Sequence, residues 1–308
     1  MENKFSYEKT LKTKPGESFL NFQSYLLVTA GSITKALYYT PVTPHQVILF
    51  SLVLGIASSV LLIQNNIYLV ILGAVFLFYK NVFDKVDGSL ARAKNMTSRR
   101  GRFYDSISDF IVSLSLFIAI GFKLYEKYND WFVFVISFLG LLFSMLQCSF
   151  FIYYEVAFIK QSGKETINRL LENITEADKQ HEDKFTLFLQ KVFLIIYGWQ
   201  DWIVNKTDKY LFNKTKKSLK PGDNSESNLE AIWYMNKPFL TIASIFSIGS
   251  HMVLIAVFSI AGKIEYYLFV NLILWNLLLG LSIIYQYYSV KNRIKRSGNG
   301  IYNKKISF

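Results

Sequence analysis

Six stretches of this chain are apolar over lengths that cross, or nearly cross, a bilayer: about Val47–Gln64, Ile67–Phe83, Ser108–Lys123, Trp131–Tyr154, Phe239–Ala261 and Tyr266–Tyr288. A hydrocarbon core offers no water to backbone amides, so stretches of this kind must satisfy their own hydrogen bonds as helices. Composition agrees: of 308 residues, 52% are hydrophobic and 18% charged, whereas a soluble domain carries roughly 45–50% apolar and about 25% charged residues. The expected fold is an all-α integral membrane protein with six transmembrane helices. Some stretches fall short of the ~20 residues usually needed, but a helix can run beyond the hydrocarbon.

Charge sets the expected orientation. The connections Asn65–Asn66, Lys123–Asp130 and Gly262–Glu265 hold few Lys or Arg, and the other side holds Lys85, Arg92, Lys94, Arg99, Arg100, Arg102 and the C-terminal Lys291, Arg293, Lys295 and Arg296. Positive charge favours the cytoplasmic side, so both termini and the segment after Phe83 are expected there, in the inner membrane if the chain is bacterial. The net charge of +12 then banks against an anionic leaflet rather than a nucleic acid. Met1 to Lys14 is polar and resembles no cleavable leader. Apolar residues Phe19, Phe22, Leu26, Leu27, Ala30, Ile33 and Leu37 recur at helical spacing, which predicts an N-terminal amphipathic helix lying at the interface. The expected divisions are residues 1–46 as the N-terminal region, 47–290 as the membrane domain and 291–308 as a basic tail. A long cytoplasmic insert occupies about 155–237.

Between the second and third apolar stretches the chain reads DKVDGSLARAKNMTSRRGRFYDSISD, Asp84 to Asp109. As a pattern this is D-x2-D-G-x2-A-R-x8-G-x3-D-x3-D, which would arise by chance roughly once in 10⁸ chains of this length at average residue frequencies. On a helix, Asp84, Asp87, Gly88 and Ala91 fall within an arc of about 100°. The two carboxylates are thus neighbours beside the smallest side chains available, which leave a hollow for a flat base or a pyrophosphate. Arg92 follows at the edge, with a fork of donors suited to phosphate. Gly101, Asp105 and Asp109 form a second stripe at i, i+4, i+8. Four carboxylates brought together would repel by ~3 kcal/mol per pair at ~5 Å and an effective dielectric of ~20. Bound hard cations such as Mg²⁺ or Mn²⁺ would relieve that, and no His or Cys is nearby to favour zinc. Carboxylates next to membrane helices are costly and usually functional.

The pattern resembles the signature of the CDP-alcohol phosphatidyltransferase family, integral membrane enzymes that move a phosphate-linked group from a CDP-activated donor to an alcohol and release CMP. The resemblance in motif covers about 26 residues, and the six-span arrangement extends it over most of the chain. It implies a membrane transferase of phospholipid biosynthesis that acts on substituted phosphate groups, with CDP-diacylglycerol as the usual donor. It implies Asp84, Asp87 and Asp105 as ligands of two divalent cations, with Asp109 as the general base and also a metal ligand. Gly88 and Ala91 would admit the nucleotide, Arg92 would hold phosphate, and Gly101 would allow close helix approach. Membrane lipids and a second copy of the chain, as a homodimer, are the further partners implied. TPVTPHQ (Thr40 to Gln46) is similar to the family's Pro-Asn start of the first span, but His45 stands where Asn is common. As a simple interfacial residue His45 would need no role.

Two readings from other classes use the same residues: a cation transporter, whose carboxylates should lie near mid-membrane, and a catalytically silent scaffold of the same fold. Within the insert, Phe185, Phe188, Leu189, Val192, Phe193 and Ile196 predict an apolar helical stripe ending in Trp199 and Trp202, and Lys214 to Asn228 reads as a linker. The single Cys148 excludes a disulfide or zinc framework. The scarcity of Lys and Arg in the centres of spans four to six favours an uncharged or zwitterionic acceptor.

Overall fold

The computed structural model describes residues 5–12, 19–21, 23–164, 166–217 and 226–298. Every regular element among them is helical. In chain order these are α1 (Tyr7–Thr10), α2 (Leu26–Tyr38), α3 (Pro44–Leu62), α4 (Ile67–Ala93), α5 (Arg99–Tyr128), α6 (Phe132–Gln161), α7 (Glu176–His181), α8 (Lys184–Lys217), α9 (Glu226–Tyr234), α10 (Lys237–Ala243), α11 (Ile248–Ile260), α12 (Ile264–Phe269) and α13 (Trp275–Gly298). A π turn at Val270–Leu274 joins α12 to α13 without a break, so the two form one apolar helix over Ile264–Ile294.

Among the described residues, α3, α4, α5, α6 and the α12–α13 helix are long and apolar enough to cross a membrane. A sixth crossing depends on α10 and α11, bent by 45° at a break. The expected fifth span, Phe239–Ala261, is therefore two helices rather than one. Ser244–Phe246 tightens into a 3-10 turn, Ser247 adopts an extended ψ of 152°, and its Oγ bonds Ser250 Oγ at 3.0 Å. Serines that bond locally compete with the helical ladder, a usual cause of such a kink.

The expected amphipathic helix begins later than its apolar spacing suggests, at Leu26. Asn21 accounts for the delay: its Oδ1 accepts from Gln23 N at 2.9 Å, and its carbonyl accepts from Ser24 Oγ at 2.6 Å. That local turn offers the backbone an alternative to the helix. Leu26 and Ala30 of α2 pack on Val82, Val86 and Leu90 of α4, while Leu27 and Val28 stay exposed. Phe22 and residues 218–225 of the expected linker lie outside the described residues, as do residues 299–308 of the tail.

Two cores hold the bundle. Leu77, Leu116, Leu141, Met252 and Tyr267 join α4, α5, α6, α11 and α12. Phe150, Phe158, Phe239, Phe246 and Trp275 join α6 to α10 and α13. At Gly55 the helices α3 and α5 come so close that a Cβ would meet Val112 at 2.5 Å.

One of the contacts that dock the insert is a buried carboxylate. Asp208 on α8 accepts from Tyr154 Oη (2.7 Å) and Trp233 Nε1 (2.8 Å) on one oxygen, and from Tyr153 Oη (3.0 Å) and Tyr234 Oη (2.8 Å) on the other. Three helices are thereby tied to one side chain. Asp208→Ala should cost at least about 1–3 kcal/mol, the usual penalty for leaving a buried donor without its acceptor, since four neutral donors lose the same partner. Thermal scans of Trp fluorescence in detergent would read this, and an unchanged midpoint would show that the tie carries no stability.

Candidate functional site

The eight residues between Arg92 and Gly101 make the turn that brings the halves of the motif together. Lys94 ends α4, Asn95 takes a left-handed φ of 55°, which Asn tolerates better than most residues, and Ser98 caps α5 by accepting from Gly101 N at 3.1 Å. The acidic stripes of the two helices thereby meet at one place. One carboxylate oxygen each from Asp84, Asp105 and Asp109 lies within 4.8 Å of the others. Asp87 is buried on the same wall, and its Oδ2 has no hydrogen-bond partner. An orphaned buried oxygen beside three clustered carboxylates fits a hard divalent cation, since every donor is a carboxylate oxygen.

Two lysines enter this cluster that the motif does not specify. Lys80, one turn before Asp84, is buried and bonds both Asp84 Oδ1 (3.3 Å) and Asp109 Oδ1. Lys85 donates to Asp84 Oδ2 at 3.1 Å. Lys80 had a visible signal, a charge inside the apolar run Ile67–Phe83, of the kind that is rarely idle in a membrane segment.

The carboxylates form one wall of a cavity of about 1490 Å³, which also includes Gly88, Ala91, Arg92, Gly101 and His45. A Cβ at Gly88 would meet only the guanidinium tips of Arg92, at 3.4 and 3.9 Å, so the hollow beside the carboxylates is open. Arg92 is anchored by Nε donating to Thr10 O at 2.8 Å. The nearest neighbours of a Cβ at Gly101 are Ser98 Oγ at 3.2 Å and His45 Nε2 at 3.8 Å. The tight contact at Gly101 is thus with its own helix cap, Ser98, and the His45 ring lies at ordinary contact distance beyond it. The ring's Nε2 is buried without a partner and borders the cavity. At the inner end the cavity reaches Cys148 and His251.

The insert supplies part of the cavity wall, Thr166 to Leu170 with Phe193 and Tyr197. Glu172 is buried and receives Arg99 (2.6 Å) and Arg102 (2.5 Å) from the first turns of α5, with Gln190 Nε2 at 2.9 Å. Arg169 makes a two-pronged pair with Asp178 at 2.6 and 2.7 Å and holds that carboxyl well below the usual carboxylate range. The stripe predicted on α8 is split: Leu189 and Phe193 pack on Phe103, while Phe188, Trp199 and Trp202 face outward.

Asp201 of α8 also lines the cavity. Burial pushes its carboxyl up to about 7, against the pull of Arg102. The folded protein therefore holds this proton more tightly than the unfolded chain, where a carboxyl titrates near ~4. Stability from this group is full below the unfolded value and is lost as pH rises towards about 7. Asp201→Asn should thus raise the thermal midpoint at pH above about 7 and leave it little changed near pH ~4. Thermal scans at both pH values would check this, and a variant no more stable at the higher pH would refute it.

Two comparisons bear on this arrangement. An uncharacterised protein from Aquifex aeolicus (strain VF5) is 35% identical over 104 residues, which cover 33% of this chain and 50% of that protein. The chain thus spans about half the length of that curated relative. A family model described as CDP-alcohol phosphatidyltransferase matches residues 41–212, a range that takes in α3 to α6, the whole acidic motif and most of α8. With more than half of its length matched, and the motif's carboxylates gathered at one cavity, the chain belongs to the CDP-alcohol phosphatidyltransferase family.

Proposed function

We propose that the protein moves a phosphatidyl, or related phosphoalcohol, group from a CDP-linked lipid such as CDP-diacylglycerol to the hydroxyl of a small alcohol and releases CMP. The observation that carries this reading is the cluster of Asp84, Asp105 and Asp109 on the wall of a cavity that also presents Gly88 and Arg92. Asp84, Asp87, Asp105 and Asp109 would hold two divalent cations, Mg²⁺ or Mn²⁺, which when bound neutralise a diphosphate and stabilise the leaving CMP. The hollow at Gly88 and Ala91 receives the nucleotide, with His45 Nε2 beside it. Arg92 holds phosphate.

Asp109 takes the proton from the acceptor hydroxyl through Oδ2, its Oδ1 being held by Lys80. The acceptor oxygen bonds to the lipid-side phosphorus as the bond from that phosphorus to the bridging oxygen breaks. Arg102 and Arg169 at the cavity rim are already paired with Glu172 and Asp178. Lys164 of the same cavity bonds only a backbone carbonyl, that of Leu11, so the scarcity of Lys and Arg in the centres of spans four to six is the ground for an uncharged or zwitterionic acceptor. Purified protein incubated with CDP-diacylglycerol and a panel of alcohols should release CMP with one of them, and no release with any would count against the reading.

The site faces the cytoplasm in this reading, supported by the Lys and Arg gathered at that end of α4 and α5. The exposed Leu27 and Val28 of α2 rest at the same membrane interface. Asn66 and Asn95 lie beyond opposite ends of α4. On a Cys148→Ser background, Asn95→Cys should react with an impermeant thiol reagent only from the cytoplasmic side, and Asn66→Cys only from the other. The reverse pattern would place the site on the wrong face for a cytosolic nucleotide donor.

A further inference from the structure

Lys80 is unusual in where its charge sits. Its side chain is 2% exposed, it belongs to the apolar part of α4, and it is absent from the residues lining the cavity. A lysine near a membrane surface normally carries its ammonium to water. Here the ammonium lies behind Asp84 and Asp109 and bonds both. Substrate cannot reach it, and solvent does not share its charge.

The carboxylate oxygens are correspondingly unequal. Asp84 uses both on ammonium groups, Oδ1 on Lys80 and Oδ2 on Lys85. Asp109 uses Oδ1 on Lys80. Asp87 Oδ2 is buried with no partner at all. One side of the cluster is thus already bonded by fixed cations, while on the other Asp87 Oδ2 has no bond even to the nearby Arg92. The four carboxylates and the two ammonium groups bonded to them leave two negative charges, which one dication cancels; Arg92 and Glu155, of opposite charge, line the same cavity and offset one another. A second dication would leave a surplus of positive charge in a buried site, at large cost unless an anion came with it. A diphosphate is such an anion.

We infer that Lys80 is a built-in counter-cation that stands in for one of the two metal ions until substrate arrives. The substrate-free protein then holds one divalent cation, on the Asp87 side, and the second is admitted together with the diphosphate. This rests on the divalent-cation reading above and adds an order of events to it. A lysine with a purely structural role would affect folding without changing how many ions bind.

The test counts Mn²⁺ bound to the purified full chain in detergent, by electron paramagnetic resonance of the free ion, with and without CDP as the diphosphate probe. One ion per chain without CDP and two with CDP are expected. Lys80→Met should bind two without CDP, the second held at least roughly a hundredfold more tightly than in wild type, because a neighbouring unit charge is removed at protein-like dielectric. Lys80→Arg, which keeps the charge, should bind one. Two ions in wild type without CDP, one ion with CDP, or a folded Lys80→Met that stays at one would each overturn the inference while leaving the metal site intact. No bound Mn²⁺ in any state would overturn the divalent-cation reading as well. If Lys80→Met does not fold, the two wild-type titrations decide.

Discussion

Asp105→Asn should reduce CMP release from CDP-diacylglycerol by at least ~10³-fold, since metal-borne charge stabilisation supplies several kcal/mol to such a transfer and each 1.36 kcal/mol is a factor of ten. The same change should not unfold the protein. Asp105 shares its space with Asp84 and Asp109, oxygens from all three lying within 4.8 Å of one another. Removing one negative charge from that group relieves repulsion of ~3 kcal/mol per neighbour at ~5 Å and an effective dielectric of ~20. In EDTA the variant should therefore melt higher than wild type, and excess Mg²⁺ should stabilise wild type more than the variant. Activity within tenfold of wild type would remove Asp105 from the metal ligands. A lower melting point in EDTA would show that Lys80 and Lys85 already offset the repulsion that Asp105 adds.

Gly88→Leu should abolish binding of a CDP-linked lipid while leaving the fold intact. The space it would enter is open, since a Cβ there meets only the movable ends of Arg92. Gly88→Ala should accordingly be tolerated, and Leu should fill the hollow between Asp84 and Ala91. Asp109→Asn should do the opposite, with binding largely kept and turnover reduced by about 10²–10⁴, the usual cost of losing a general base. Calorimetry with a CDP-lipid analogue and metal, run beside CMP release, separates the two. Should Asp109→Asn lose binding as completely as Asp84→Asn, Asp109 is chiefly a metal ligand and the base lies elsewhere. Should Gly88→Leu bind normally, the nucleotide does not use this hollow.

The acidic motif was readable because its information is local. Residues spaced by three and four share a helix face whatever the rest of the chain does, so Asp84, Asp87 and Gly88 declare their grouping before any tertiary structure exists. The long apolar helices follow from the solvent they require. What escaped the sequence depends on partners far along the chain. Glu172 meets Arg99 and Arg102 from 73 and 70 residues away, and Asp208 collects donors from Tyr153 to Tyr234. Neither lies in a recognisable pattern. The break at Ser247 was legible in principle, because TIASIFSIGS concentrates serines and a glycine within an apolar run. Counting hydrophobicity alone passed over it. The position of His45 beside Gly101 was not legible, since the two belong to different helices.

The grip of Glu172 on α5 also fixes an angle. Arg102 and Arg99 stand about one and two turns ahead of Asp105, so the carboxylate that holds them sets how α5 is rotated about its own axis. Each residue turns a helix by about 100°, and a slip of one position would swing Asp105 and Asp109 out of the cavity together. The insert thus works as a tuning peg, keeping two side chains in phase with a partner helix that it does not itself touch at the carboxylates. Lengthening this connection, or grafting it between members of the family, is therefore a change to the carboxylate cluster, made from outside it.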